Sequence, residues 1–132
     1  MIDGGCLCGN IRYTIDDVIT DVSHCHCSMC RKMHGAAFAT YGTVERKHLH
    51  WLSGEAHITV YRSSAELERI FCSLCGSTLL CRSDAEPDVE YIALGTVDGD
   101  PGCRAAYHIW VGSKAPWYSI TDDLPRFDKA ED

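Results

Sequence analysis

The sequence CHCSMC, residues 25–30, places three cysteines within six positions. Two further groups lie along the chain, CLC at residues 6–8 and CSLC at residues 72–75. Seven of the nine cysteines therefore fall into three tight clusters. A C-x-x-C turn brings two sulfurs close enough to share one metal ion, and a C-x-C pair in extended backbone places both side chains on the same face. The clusters indicate a zinc protein.

The rest of the sequence favours thiolates over disulfides. Residues 1–6 contain neither a basic region nor an apolar run, so no secretory signal peptide is predicted. No apolar run approaches the roughly 20 residues needed to cross a bilayer. Nine cysteines in a chain without a secretory signal are typical of metal or redox chemistry inside the cell. We therefore expect a cytoplasmic protein that does not enter a membrane.

The length of the chain predicts a single domain, and its charge argues against nucleic-acid binding. With 132 residues, the chain suits one domain with a hydrophobic core, and we expect a single zinc domain over residues 1–132. Apolar residues make up 45% of the chain and charged residues 23%, which is ordinary globular composition. The formal net charge is −7, and metal-bound thiolates would make the chain more negative. Binding to nucleic acid is therefore not expected.

Short runs with a period of two, separated by turn residues, predict a mainly β domain. Ile11, Tyr13 and Ile15 alternate with polar residues and predict one strand. Further strands are predicted at residues 36–43, 58–61, 68–72, 78–81, 91–94 and 107–111. The one helical turn predicted is Arg31 to Gly35. The metal ligands are expected at strand ends and turns.

Seven cysteines divide naturally into four and three, because structural zinc takes four ligands and catalytic zinc usually takes three with one position open. We favour a closed site built from the first and third clusters, with the ligands Cys6, Cys8, Cys72 and Cys75. It would cross-link positions 64 residues apart, which is worth on the order of 4 kcal/mol in the chain-entropy model. The second site would hold Cys25, Cys27 and Cys30. Spacing alone leaves this division open, because pairs from different clusters could be exchanged.

Two other interpretations of the second cluster are compatible with the spacing. His24, His26 and His34 lie beside it, and one of them could supply a fourth ligand and make the site structural. Alternatively, Cys27 and Cys30 could form a reversible disulfide with no bound metal. The ligands on the second ion distinguish these possibilities. An open site has three protein ligands, a closed site has a histidine as the fourth, and a disulfide leaves no bound ion.

The clusters resemble those of the glutathione-dependent formaldehyde-activating enzyme family, whose domain is shared with centromere protein V. The matching pieces are GGCLCGNIRY at residues 4–13, CHCSMCRK at 25–32, FCSLCGSTL at 71–79 and HIWVGSKAPWYSITDDLPRF at 108–127. These four motifs in this order extend over nearly the whole chain. Their combination is far more specific than any one of them.

The resemblance implies a fold of the β-tent type with two zinc ions per chain, one structural and one catalytic. It assigns the first and third clusters to the structural zinc, and Cys25, Cys27 and Cys30 to the catalytic zinc. The implied activity joins glutathione to formaldehyde, which is formally a carbon–sulfur lyase reaction run in reverse. We therefore expect an enzyme that adds glutathione or a similar thiol to formaldehyde or another small aldehyde, or cleaves such an adduct.

Cations beside the second cluster could recognise the carboxylates of a glutathione-like substrate. Arg31 and Lys32 directly follow Cys30 and are the predicted substrate-binding residues. The same pair could equally be a solvated part of a turn. The alternative function is a non-catalytic zinc module for a protein partner, in which a histidine closes the second site.

Overall fold

Residues 1–130, which the computed structural model describes, form ten strands and one α-helix. The strands are β1 (Ile2–Gly5), β2 (Arg12–Ile15), β3 (Thr20–Cys25), β4 (Ala39–Glu45), β5 (Leu49–Ser53), β6 (Ile58–Arg62), β7 (Leu67–Cys72), β8 (Thr78–Ser83), β9 (Val89–Ala93) and β10 (Tyr107–Ile109). The helix is α1 (Ser28–His34), and short 3-10 turns lie at Arg46–His48, Glu55–His57, Leu94–Thr96 and Val111–Ser113. The mainly β class is confirmed. None of the helices in this part of the chain has the length and apolar character needed to span a bilayer.

The strands form one small and one large sheet. β1, β2 and β5 form the small sheet in that order, with antiparallel pairing. The large sheet has seven strands in the order β10-β3-β4-β9-β8-β7-β6. Its neighbours run antiparallel, except that β10 lies parallel to β3. Cys25, the last residue of β3, is thereby placed between Ile109 of β10 and Ala39 of β4.

The large sheet separates two apolar clusters, because successive side chains of a strand point to opposite faces. Ile70 and Cys72 of β7 belong to a large core of isoleucine, leucine and valine side chains. Tyr41 of β4 belongs to a second, smaller cluster, which contains Cys25 and Cys30. Each apolar cluster therefore packs against one group of cysteines, and the sheet lies between the two groups.

Seven predicted strands are confirmed, with ends that differ by up to three residues, whereas β1, β3 and β5 were not predicted. β1 contains Gly4, where an added Cβ would lie 2.3 Å from the Tyr13 hydroxyl oxygen. The close approach of Tyr13 requires this glycine and hides the strand pattern. β3 is irregular because Asp21 adopts a positive φ of 49° at a break in its pairing with β4.

The helix begins three residues earlier than predicted. Cys27 is its N-cap, because the Cys27 sulfur accepts a hydrogen bond from the Cys30 amide at 3.2 Å. Helix N-caps are usually Ser, Thr, Asp or Asn, so the sequence pattern does not mark this start. The helix ends at Gly35, whose φ of 57° lies in the left-handed region that glycine tolerates.

Gly42 in β4 packs directly against Ile19, and an added Cβ would lie 2.2 Å from the Ile19 Cγ2 atom. Gly42→Ala should therefore lower the free energy of unfolding by about 1–3 kcal/mol, because it overpacks the core. Gly95→Ala is the control, since no non-neighbouring atom of the described chain lies within 4 Å of its added Cβ. The control should change stability by less than about 0.5 kcal/mol in denaturant unfolding of the metal-loaded protein. Equal stabilities of the two variants would contradict this packing.

Candidate metal centres and active-site cavity

The sulfurs of the first and third cysteine clusters meet where the two sheets approach each other. Residues 6–8 form the connection from β1 to β2, and residues 72–75 form the turn from β7 to β8. The four sulfurs lie within 4.8 Å of one another, with separations of 3.5 Å from Cys6 to Cys8 and 3.9 Å from Cys8 to Cys72. A tetrahedral zinc site with Zn–S bonds of ~2.3 Å places its sulfurs about 3.8 Å apart, so this group fits zinc.

Two similar turns present these four sulfurs. The Gly9 amide donates to the Cys6 carbonyl at 3.1 Å, and the Gly76 amide donates to the Cys72 carbonyl at 2.8 Å. Both glycines have φ near 80°, a conformation that L side chains rarely adopt. The Ile11 amide also donates to the Cys6 sulfur at 3.3 Å. The backbone is thus arranged to hold thiolates.

Polar side chains stabilise the charged form of the more exposed cysteines. The Ser77 hydroxyl accepts a hydrogen bond from the Leu7 amide at 2.9 Å and lies 3.2 Å from the Cys75 sulfur. The contact with Ser77 lowers the pKa of the Cys75 thiol to about 5. The Asn10 side-chain amide donates to the Cys8 sulfur at 3.4 Å and lowers the pKa of Cys8. Ser77 also joins the two turns to each other.

The second group consists of Cys25 at the end of β3, Cys27 at the helix N-cap and Cys30 in the first turn of α1. Their sulfurs also lie within 4.8 Å of one another. Hydrogen bonds from the thiols of Cys25 and Cys30 lower the pKa of Cys27 to about 2, while the interaction with Cys27 raises the pKa of Cys25. The three thiols therefore titrate as one interacting group. All nine cysteines are free, so no disulfide joins Cys27 to Cys30.

Each of the three histidines near this group contacts a polar side chain outside it. One ring nitrogen of each lies 2.7 to 2.8 Å from that side chain, while the other nitrogen of His26, Nδ1, is buried without a hydrogen-bond partner in the described chain. The pairs are His24 with Thr40, His26 with His108, and His34 with Tyr41. Within residues 1–130, the second set of mutually close ligand atoms comprises three cysteines and no histidine. The geometry thus offers a metal three protein ligands.

The second cysteine group lies in the wall of a cavity of about 580 Å³. The three cysteines line it together with Arg69 and four aromatic side chains, Tyr41, Tyr91, Tyr107 and Trp110. None of the four cysteines of the first group is among its described lining residues. A cavity of this volume holds a small-molecule ligand. The two groups therefore differ in their surroundings, since the second lines this cavity and the described residues of the first do not.

Two residues in the cavity wall have strained backbone. Asp21 and Trp110 are the non-glycine residues with positive φ in the described chain, at 49° and 57°. Both line the cavity, and the Tyr107 hydroxyl donates to the Asp21 carboxylate at 2.6 Å. Such conformations cost on the order of 1–3 kcal/mol and concentrate at ligand sites. The strain marks the cavity as a functional region.

Arg69 of β7 is the cavity residue that sequence reasoning missed. Its side chain is buried, with 1% exposure, and its Nη1 atom lies 3.0 Å from the Tyr41 hydroxyl and 3.5 Å from the Cys30 sulfur. Burial opposes its charge, but electrostatic interactions with neighbouring groups, among them the Cys30 sulfur, outweigh burial and raise the pKa of Arg69. The available signal was a charged residue within the largely apolar strand that precedes Cys72.

The predicted substrate-binding pair lies in α1. Lys32 is exposed, and Arg31 is half-buried with its Nε atom lacking a hydrogen-bond partner. Neither residue is among the described residues that line the cavity, whereas Arg69 is. A role for Arg31 and Lys32 in substrate binding stays a prediction.

A chain of buried polar contacts holds the C-terminal segment against β3. His26 Nε2 lies 2.8 Å from His108 Nδ1, and His108 Nε2 lies 3.0 Å from the Asp122 carboxylate. The His26 amide also donates to the Ile109 carbonyl at 3.0 Å. Since Ile109 pairs with Cys25, these contacts fix the end of the strand that carries the first cysteine of the second group.

The fold and the two cysteine groups define a mainly β protein with two sites that could hold metal. Residues 1–113 match the family described as glutathione-dependent formaldehyde-activating enzyme. The chain belongs to this family, and the resemblance predicted from its motifs is confirmed.

Three curated relatives are similar to the chain. A protein of Halomonas elongata, provisionally named glutathione-dependent formaldehyde-activating enzyme, is 26% identical over 91% of this chain and 81% of its own length. An uncharacterised lyase of Schizosaccharomyces pombe is 32% identical over 58% of this chain and 54% of its own length. A protein of Podospora anserina, which has the same provisional name as the Halomonas elongata protein, is 33% identical over 61% of this chain and 39% of its own length.

A solved structure supports the fold. The crystal structure of a Rhodobacter sphaeroides protein superposes with a TM-score of 0.64 and 22% sequence identity. The match extends over 74% of this chain and 89% of that protein. At this identity the similarity concerns the fold alone.

Serine substitutions should affect the two groups differently. Cys72→Ser removes a ligand from the long-range cross-link and should lower the stability of the metal-loaded protein by about 4 kcal/mol. Cys27→Ser should lower it by less than about 1 kcal/mol, because serine can still cap α1. Denaturant unfolding of both variants measures the difference. Similar stability losses would contradict the assignment of the first group as the structural one.

Proposed function

We propose that this protein is a zinc-dependent enzyme of the carbon–sulfur lyase type. It joins glutathione or a similar thiol to formaldehyde or another small aldehyde, or cleaves such an adduct. The observation that carries the proposal is the group of three cysteine sulfurs in the cavity wall, with no histidine in the described set. Catalytic zinc sites keep a position open for a ligand, whereas structural sites are closed. Family membership supports the reaction class.

The two groups would hold one zinc ion each. The first group would be structural, with the ligands Cys6, Cys8, Cys72 and Cys75. Cys25, Cys27 and Cys30 would hold the catalytic ion. When bound there, zinc supplies a positive centre that favours the deprotonated, nucleophilic form of an incoming thiol. We further propose that residues 1–132 act as one domain in the cytoplasm.

The cavity walls would orient the aldehyde and limit water. The four aromatic side chains give apolar surfaces on which a small carbonyl compound can lie beside the three sulfurs. Addition of a thiol to an aldehyde forms one carbon–sulfur bond and moves one proton from sulfur to the carbonyl oxygen. Holding both reactants in one cavity removes much of the entropic barrier to that bond.

We propose that one of two tyrosine–carboxylate pairs in the cavity wall carries the proton. Tyr107 donates to Asp21 at 2.6 Å, and Tyr91 donates to Glu86 at 2.5 Å. In the proposed reaction a carboxylate accepts the thiol proton and returns it to the oxygen of the adduct. The same groups would act in the opposite order during cleavage of the adduct.

A non-catalytic zinc module is the alternative function, and it would close the second site with a histidine. The absence of a histidine from the described set of mutually close ligand atoms favours the enzyme instead. In the described chain the rings of His24, His26 and His34 each have a polar partner outside the cysteine group.

Mild chelation should separate the two zinc ions. A closed structural site contributes apparent free energies of ~10–16 kcal/mol to a small domain, while a site with three protein ligands binds more weakly. We expect one ion to leave first while the β circular dichroism signal persists. Metal analysis during stepwise chelation measures this order. Simultaneous loss of both ions with unfolding would contradict the division into structural and catalytic sites.

Catalysis can be measured by exchange NMR on glutathione mixed with ¹³C-formaldehyde. The zinc-loaded protein should accelerate exchange between free formaldehyde and its glutathione adduct, because it binds both reactants. Cys27→Ser should lose at least about 100-fold of this acceleration, since it removes a ligand of the catalytic ion. S-methylglutathione, which has no thiol, is the substrate control. An acceleration that survives in Cys27→Ser would contradict the proposal, as would no acceleration by any thiol and aldehyde pair.

A further inference from the structure

Arg69 carries a buried positive charge without a carboxylate partner in the described chain. By contrast, Arg46 and Arg82 both form ion pairs with the buried Glu90. The recorded partners of Arg69 are the Ser63 hydroxyl at 3.1 Å, the Tyr41 hydroxyl and the Cys30 sulfur. A buried charge is costly unless a compensating charge lies nearby. Cys81 pairs with Arg69 across β7 and β8, but burial raises the pKa of its thiol and keeps it neutral. The compensating charge of Arg69 therefore comes from one of the three partners or from a ligand.

The Cys30 sulfur is the partner that can carry this negative charge. Burial raises the pKa of Tyr41, so its hydroxyl stays neutral, and a serine hydroxyl does not ionise. A cysteine that ligates a metal is a thiolate. The position of Arg69, 3.5 Å from the Cys30 sulfur, thus places its charge beside the second cysteine group.

Arg69 compensates the negative charge that the second cysteine group would have with a metal ion bound. Three thiolates and one divalent ion have a net charge of −1, and an anionic fourth ligand would increase it to −2. In a cavity with apolar walls, such a concentration of charge is unfavourable. Arg69 brings the group to neutrality before the ligand arrives. A unit charge about 6 Å from the ligand, at an effective dielectric constant of about 20, corresponds to roughly 100-fold in affinity.

We infer that Arg69 is the specificity-determining cation of this site, which makes the cavity accept an anionic sulfur ligand whether or not that ligand carries a carboxylate. The inference rests on the proposed function, whose substrate class it refines to low-molecular-weight thiols bound as thiolates. Arg69 acts through its charge on the cysteine group. It differs from a carboxylate-recognition residue, whose effect would be confined to acidic thiols.

The other charged groups of the cavity agree with this assignment. Asp21 and Glu86 are exposed carboxylates, each bonded to a tyrosine, so they offer a carboxylate on the ligand no attraction, and solvent screens their repulsion. Arg69 is the arginine among the described residues that line the cavity. Its charge is engaged by the Cys30 sulfur. A neutral thiol such as 2-mercaptoethanol should therefore bind about as well as an acidic one.

Cobalt(II)-loaded protein allows the inference to be tested by absorption spectroscopy, since binding of a ligand changes the thiolate-to-cobalt bands. The titrants are 2-mercaptoethanol, 3-mercaptopropionate, azide as an anion without sulfur, and imidazole as a neutral ligand. The variants are Arg69→Gln and Arg69→Met, which remove the charge, and Arg69→Lys, which keeps it. Arg62→Gln is the matched control, because Arg62 is exposed and pairs with Asp84 at 2.8 Å.

We expect the removal of the Arg69 charge to lower the affinity for both thiols and for azide by roughly 10- to 100-fold. The affinity for imidazole should change by less than about twofold. Arg69→Lys should retain most of the affinity, and Arg62→Gln should match the wild-type protein. If neither neutral variant folds, the inference is tested by comparing the thiol affinities of the wild-type protein and Arg69→Lys. Wild-type affinities for the two thiols should then agree within about threefold, and Arg69→Lys should preserve that ratio.

Several results would overturn the inference. They are unchanged thiol affinity in the neutral variants, a loss confined to 3-mercaptopropionate, or an equal loss for imidazole. A wild-type protein that binds azide in an Arg69-dependent way but neither thiol would contradict the proposed function while supporting the anion preference. A wild-type protein that binds none of the anions would contradict both.

Discussion

Convergence of thiolates from residues 6–8 and 72–75 on one point is the constraint on which the rest of the structure depends. The first pair lies in the connection between two strands of the small sheet, and the second lies at a turn between two strands of the large sheet. A metal ion held by these four sulfurs would therefore join the two sheets. A small domain gains stability from such a long-range cross-link, because it restricts the unfolded chain. Glycines at the two turns and amide–sulfur hydrogen bonds show that the backbone is shaped to present thiolates there.

The large sheet connects the first cysteine group to the second, because one of its strands contributes a residue to the surroundings of each. Cys72 and Arg69 belong to the same strand, yet they lie on opposite sides of the sheet, in the core and at the cavity. Fixing Cys72 therefore also fixes the position of Arg69 beside Cys30. The C-terminal contacts of His108 position the end of β3 in the same way, from the other edge of the sheet. The two cysteine groups thus lie on opposite sides of one sheet and are connected through its strands.

Local patterns in the sequence predicted the elements better than the cavity. Seven strands and the three cysteine clusters followed from period-two alternation and C-x-x-C spacing, which are short-range signals. The division of the clusters into groups of four and three was left open by spacing and was implied by the family resemblance. Three strands escaped prediction where close packing or an irregular backbone interrupts the alternation, as at Gly4 and Asp21. Arg69 escaped because its role depends on lateral neighbours in the sheet, and strand order is not visible in a single sequence.

The most direct test of this account is the set of ligands on the second metal ion. A crystal structure of the zinc-loaded protein soaked with glutathione, with anomalous data at the zinc edge, measures it. The account predicts zinc bound by the sulfurs of Cys25, Cys27 and Cys30, with the thiol sulfur of glutathione as fourth ligand. Zinc bound by His24, His26 or His34, or a disulfide between Cys27 and Cys30 in place of the metal, would contradict it.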